Sequence, residues 1–154
     1  MASSRSTEWR TPPEIWNPIN AEFQFDLDAA ANESNALTPR FLTDALGPDP
    51  WPGSVVWLNP PYGRMLEPFI RRAAKEAERG ITVVALIPLR VRAAWWHEAV
   101  LGRAHEVRCV RKRVRFLRPD GTRPAYGLSN DSCLVVWRGA PSGQTLLTGF
   151  KQAE

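Results

Sequence analysis

At 154 residues the chain is long enough for one core and too short for two at roughly 150 residues per domain, so a single domain over 1–154 is expected, with 1–8 and 140–154 flexible or peripheral. With 44% hydrophobic and 23% charged residues it lies outside the composition of disordered chains. No apolar run nears the roughly 18 residues of a membrane span, and MASSRSTEWR lacks the apolar stretch of a secretory leader, which points to a cytoplasmic protein with no membrane contact. The net charge of +4 conceals an asymmetry, because residues 1–89 hold 8 cations against 11 anions while residues 90–138 hold 11 against 4.

In chain order, Thr11-Pro12-Pro13 reads as a helix entry, with Thr11 able to cap and proline tolerated in the first turn, and the helix runs to about Asn20. Phe23-Gln24-Phe25-Asp26-Leu27-Asp28 alternates at period 2 and predicts a strand closing on an acidic turn and three alanines. Residues 32–54 mix Asn, Pro, Gly and Asp with short apolar pieces, giving a loop with one helical turn. Val55 to Leu58 is a second strand, stopped by the prolines of Asn59-Pro60-Pro61-Tyr62-Gly63, which cannot donate to a ladder. Apolar positions at 69, 70, 73, 74 and 77 predict a helix over 68–79, with Pro68 at its first position and Gly80 just past its end. Ile81 to Ile87 is an unbroken, largely β-branched or aliphatic run suited to a strand buried on both faces. Strand, helix and strand in succession imply a right-handed βαβ unit.

A second amphipathic helix is expected over about 92–101, carrying Trp95-Trp96 against the sheet. From Glu106 to Leu117 apolar residues alternate with arginines, but the phase slips near Arg111-Lys112, so a bulge or bend is required there. Pro119-Asp120-Gly121 is a turn, and Leu134 to Trp137 a closing strand. The expected fold is α/β, mostly parallel, with a C-terminal antiparallel hairpin. Cys109 and Cys133, the only cysteines, sit in strand-like stretches without a CxxC spacing and read as reduced thiols, and no metal site is expected.

Two features carry chemistry. The basic half is a candidate polyanion surface, and 17 of its chain's 20 cations are arginines, whose planar fork suits phosphate oxygens and base edges; a solvated strand face is the bland alternative. Asn59-Pro60-Pro61-Tyr62 lies between a strand and a helix, at the sheet edge where open α/β folds bind ligands. An amino group conjugated to a ring is a poor nucleophile. If the Asn59 side-chain oxygen and the Pro60 carbonyl hold its two hydrogens, the nitrogen moves toward tetrahedral geometry and its lone pair can face an electrophilic methyl, while the prolines stiffen the carbonyl. Tyr62 supplies a flat face for a planar substrate. A thioether leaving from a sulfonium needs neither acid nor metal.

With Trp9-Arg10-Thr11-Pro12, Phe25-Asp26-Leu27-Asp28-Ala29-Ala30, Leu46 and Trp51, Trp57-Leu58-Asn59-Pro60-Pro61-Tyr62-Gly63 and Arg113-Val114-Arg115-Phe116 in this order, the chain resembles the phage-type DNA adenine-N6 methyltransferases over roughly Trp9 to Trp137. That resemblance implies an S-adenosylmethionine-dependent enzyme of phage or prophage origin acting on adenine N6 in DNA in the bacterial host cytoplasm, on an abbreviated Rossmann-like sheet, with a monomer favoured. It makes Asn59, Pro60, Pro61 and Tyr62 the catalytic motif. Trp9, Thr11, Pro12, Asp28, Ala29 and Asp44 become cofactor-side residues; the charge asymmetry, not the resemblance, makes Arg64, Arg90, Arg92, Arg111, Lys112, Arg113 and Arg115 the expected phosphate-holding cations on DNA.

Thr11 as a plain cap, Asp28 as a turn former and Trp9 as core packing stand beside those roles. The chain departs from larger adenine methyltransferases in lacking GxGxxG after the first strand, and only 30 residues separate Asp28 from Asn59, so the cofactor pocket must be abbreviated. Methylation of another planar amide or amine, on protein glutamine or RNA guanine, and a non-catalytic DNA-binding module remain alternatives.

Overall fold

The computed structural model describes residues 9–125 and 130–154; the expectation for residues 1–8 lies outside the described residues. The elements in chain order are α1 (Pro13–Phe23), β1 (Leu27–Asp28), β2 (Val55–Leu58), α2 (Leu66–Ala77), β3 (Thr82–Pro88), a short wide-turn helix α3 (Trp96–Val100), β4 (Glu106–Val110), β5 (Ser132–Arg138) and β6 (Leu146–Phe150). One six-stranded mixed sheet runs β1-β2-β3-β5-β4-β6. β1, β2 and β3 are mutually parallel, as are β4 and β6, and β5 is antiparallel to both β3 and β4. The sheet is therefore mostly parallel with one reversed strand, and the β2-α2-β3 unit forms as its pattern requires.

Side-chain alternation divides the core. Val56, Leu58, Val83, Ala85, Ile87, Val135 and Trp137 pack under α2 and α3, while Trp57, Val84, Leu86, Leu134 and Val136 pack with Ile15 and Ile19 of α1. The slip near Arg111-Lys112 has its cause here. Val107 belongs to the α2 face and Val114 and Phe116 to the α1 face, so the chain leaves the sheet after Val110 and crosses to the other layer. An isolated backbone bridge, Arg10 with Leu117, and the Arg123–Glu14 ion pair tie this arm to the amino-terminal segment.

Several boundaries differ from the sequence reading. α1 continues to Phe23, and Gln24 ends it in the left-handed region at φ 56°; Phe25 N–H then bonds Asn20 Oδ1 at 3.0 Å. The apparent alternation of Phe23 and Phe25 thus comes from a helix end folding back, with the two rings stacked 5.7 Å apart, and β1 keeps only two residues. α2 begins at Leu66, which puts Pro68 in its third position, still within the turn whose N–H groups have no helical partner. The helix expected over 92–101 contracts to a short one. β6, absent from the sequence reading, forms a peripheral edge strand, with Leu146 and Leu147 exposed and Thr145 Oγ1 reaching Ala104 O at 2.8 Å.

The loop between β1 and β2 contains turns but no helix, and it stands where a helix would cover the sheet. Trp51, 1% exposed, plugs it in, donating Nε1–H to Ala45 O at 2.8 Å. α2 grips it from outside: Arg72 donates to Gly47 O and Asp49 O at 2.7 and 2.6 Å, and buried Glu76 accepts Trp51 N–H at 3.3 Å. Gly53 is required on the return, because a Cβ there would lie 2.7 Å from both Asp26 Oδ1 and Leu27 Cβ. Cys109 and Cys133 face each other across β4 and β5 as free thiols; Cys133 is buried, which pushes its thiol well above the ordinary range. Among the described residues no helix is long and apolar enough to cross a membrane.

Candidate active site

Because β1 and β2 are parallel neighbours, Asp28 and Leu58 end at the same edge of the sheet, and the chain that follows each lines one cavity of about 500 Å3. β1 is sewn on both sides there. Ala29 N–H bonds Trp57 O at 2.9 Å, Asp28 N–H bonds Arg40 O at 3.0 Å and Leu42 N–H returns to Asp28 O at 2.9 Å. The alanine turn is thereby fixed with small side chains toward the cavity, leaving room for a ligand against the backbone.

Alternation along β2 sends Trp57 to the α1 face and Leu58 to the α2 face, so Asn59 falls on the side of α1's beginning. Thr11 stands there. Asn59 Nδ2 donates to Thr11 Oγ1 at 3.0 Å, which turns the carboxamide oxygen away from Thr11. Thr11 is not the helix cap: Pro12 holds that position and no side chain caps the helix, so the hydroxyl is committed to Asn59 instead. Proline at the cap and at the first helical position makes this affordable, since neither has an N–H to satisfy. Among the described residues no hydrogen bond occupies the Pro60 carbonyl. Tyr62 packs edge-on against Phe116 with ring centroids 6.0 Å apart, and burial pushes its hydroxyl well above the ordinary range, so it stays neutral.

Arg10 and Asp28 are the only charged side chains among the described lining residues. Asp28 is 3% exposed. Burial, the larger influence, raises its carboxyl from 3.8 to about 6, and the N–H groups of Leu37 and Ala30 draw it part of the way back, at 3.1 and 3.4 Å. No cation among the described residues pairs with it in a salt bridge. Three further donors lining the cavity, Arg10 Nε, Trp57 Nε1 and the Tyr62 hydroxyl, are buried without partners among the described residues. A buried anion and orphaned donors around one space describe a site shaped for a polar, partly cationic ligand.

Of the expected residues, Trp9, Thr11, Asp28, Ala29, Asn59, Pro60, Pro61 and Tyr62 line this cavity. Pro12 is buried beside it and Asp44 is exposed outside it, although its neighbours Thr43 and Ala45 take part. The expected cations do not line it. Arg64, Arg90, Arg92, Arg111, Lys112 and Arg113 are exposed, and Arg115 donates to Pro124 O at 2.7 Å, bracing a wall of the cavity. The sequence reading missed Arg10 and Trp57 as lining residues, along with Asn32 and Asn35. The last two are joined by Asn32 N–H to Asn35 Oδ1 at 2.8 Å, and Ser34 N–H closes an Asx turn on Asn32 Oδ1 at 2.9 Å, a turn that the asparagines after the alanines could have signalled.

A family model described as DNA N-6-adenine-methyltransferase (Dam) matches residues 2–153. A DNA N-6-adenine-methyltransferase of Escherichia phage T1 is 35% identical over 97 residues, 59% of this chain and 40% of that protein. One of Haemophilus phage HP1 (strain HP1c1) is 31% identical over 118 residues, 73% of this chain and 67% of its own length. The match thus spans well under half of the T1 protein.

Proposed function

The chain belongs to the DNA N-6-adenine-methyltransferase (Dam) family, and from that premise we propose that it transfers a methyl group to the N6 amino group of adenine in DNA. The observation that carries this reading is the Asn59 carboxamide, tethered through Nδ2 to Thr11 at 3.0 Å, beside the Pro60 carbonyl on the cavity wall. Two acceptors held rigidly at one point match the two hydrogens of an exocyclic amino group.

S-adenosylmethionine, the methyl donor we assign, supplies a methyl carbon on a cationic sulfur when bound. The residues present fit it: among the described residues Asp28 is a buried carboxylate without a salt-bridge cation, set against the alanine turn, and Arg10 Nε is a buried donor without a partner, open to an anionic group. Tyr62, kept upright by Phe116, stacks on a base turned out of the helix. Asn59 Oδ1 and the Pro60 carbonyl accept the N6 hydrogens, which draws the lone pair out of conjugation and aims it at the methyl carbon. Transfer would leave one proton too many on N6, which the Asn59 Oδ1 hydrogen bond would hold until it passes to solvent. Neutral Tyr62 is not required as a base.

The parallel β1-β2-β3 set, with its cavity at the carboxyl ends, supports an abbreviated Rossmann-like assignment. The exposed arginines at 64, 90, 92, 111 and 113, with Lys112, serve as phosphate contacts, and the working site is the host cytoplasm of a phage or prophage. The test is methyl transfer from tritiated S-adenosylmethionine to plasmid DNA, RNA and protein, followed by nucleoside chromatography. Label in N6-methyladenine, abolished by Asn59→Ala, is expected; label on cytosine, RNA or protein overturns the reading.

A further inference from the structure

An exposed apolar tip stands beside the proposed site. β2 and β3 are parallel neighbours, so the segment after Pro88 leaves the sheet at the same edge as Asn59 to Tyr62. It forms a turn closed by Ala93 N–H to Arg90 O at 3.1 Å and anchored by Leu89 N–H to Asp131 O at 2.9 Å. His97 Nε2 pins the tip, 2.8 Å from Val91 O. Val91, a branched aliphatic side chain, is 54% exposed there. It is flanked by Arg90 and Arg92, both exposed and, among the described residues, without a salt-bridge partner. Arg90 lies near enough to Tyr62 to act on its hydroxyl electrostatically.

We propose that Val91, held at the tip of the Arg90–Ala93 turn on the sheet edge that also carries Tyr62, enters the base stack of duplex DNA and occupies the space vacated by the flipped adenine. The inference rests on the DNA-adenine reading above. Turning a base out of a duplex leaves an unstacked gap and costs a few kcal/mol of pairing and stacking, and apolar side chains inserted between base steps are a known way to offset such a gap. The turn is pinned at three points, so little conformational freedom is lost on insertion. Its two arginines are placed to take the phosphates on either side. Nothing else among the described residues explains a valine left 54% exposed at a tip framed by cations. Met65, 46% exposed on the adjacent β2 side, is the internal comparison.

The experiment measures initial methyl-transfer rates for wild type, Val91→Ser, Val91→Leu and Met65→Ser. The substrates are matched duplex, heat-denatured strands of the same DNA, and a duplex with cytosine opposite each adenine, in which the target is already unpaired. Val91→Ser is expected to slow transfer to the matched duplex by about tenfold. It should act within about twofold of wild type on whichever unpaired substrate wild type methylates, since stacking there needs no plug. Val91→Leu retains the duplex rate. Equal losses on paired and unpaired substrates, no loss on either, or a paired-only loss confined to Met65→Ser overturns the inference and leaves the adenine reading standing. A wild type that methylates none of the DNAs overturns both.

Discussion

Replacing Thr11 by valine tests whether the Asn59 carboxamide owes its orientation to a single hydroxyl. Valine keeps the shape of threonine but removes Oγ1, to which Asn59 Nδ2 donates at 3.0 Å. Thr11 is 6% exposed, so water does not readily replace the lost partner. Leaving a buried amide donor unsatisfied costs about 1–3 kcal/mol, and the cheapest escape is rotation of the amide, which would present NH2 to the substrate's own N–H groups. If that cost falls on the transition state, kcat drops about 5- to 150-fold. Steady-state kinetics on plasmid DNA, together with cofactor titration by calorimetry, is the assay. The expected pattern is a loss in kcat with cofactor Kd within about threefold, and recovery with Thr11→Ser, since serine restores the hydroxyl that accepts from Asn59 Nδ2. An unchanged kcat with weakened cofactor binding would refute the argument and return Thr11 to a purely cofactor-side role.

Three further outcomes follow from the same geometry. Asp28 has a folded-state pKa of about 6 against an ordinary 3.8, so the folded chain holds the proton more tightly than the unfolded one and stability falls as pH rises from about 4 to 6, by about 3 kcal/mol. Asp28→Asn should therefore gain stability over wild type across that window in urea titrations of the free protein; a pH-independent difference would contradict the desolvation argument. Tyr62→Ala should raise the KM for DNA by the loss of about 1–3 kcal/mol of stacking while leaving cofactor affinity nearly unchanged, whereas equal loss of both would indicate misfolding. Gly53→Ala forces a Cβ to 2.7 Å from Asp26 Oδ1 and Leu27 Cβ, and should lower the urea midpoint by about 1–3 kcal/mol in stability; an unchanged midpoint would show that the loop relaxes freely.

Much of the site was legible because its elements are local. Asn59 to Tyr62 had to leave a strand, since Val55 to Leu58 is apolar and the prolines end the ladder, and α2 shows its buried stripe directly. The phase slip at Arg111-Lys112 was visible as well, though not that it marks a crossing between layers. What sequence could not show is decided by distant partners. Thr11 reads as a cap because Thr before Pro-Pro has that local preference, yet the residue claiming its hydroxyl is Asn59, 48 positions away. Phe23 and Phe25 imitate a strand because a helix end and an extended arm bury neighbouring aromatics on one patch. β6 is held by backbone pairing and by Thr145 rather than by burial of Leu146 and Leu147, so no hydrophobic period announces it.

The most direct measurement is the single-turnover rate of methyl transfer from a preformed complex of Asn59→Ala with cofactor and DNA. Removing one preorganised acceptor should slow that step by about 100- to 1,000-fold while both dissociation constants stay within about threefold. A rate within a few-fold of wild type would show that the amino group is activated by something other than the Asn59 and Pro60 oxygens.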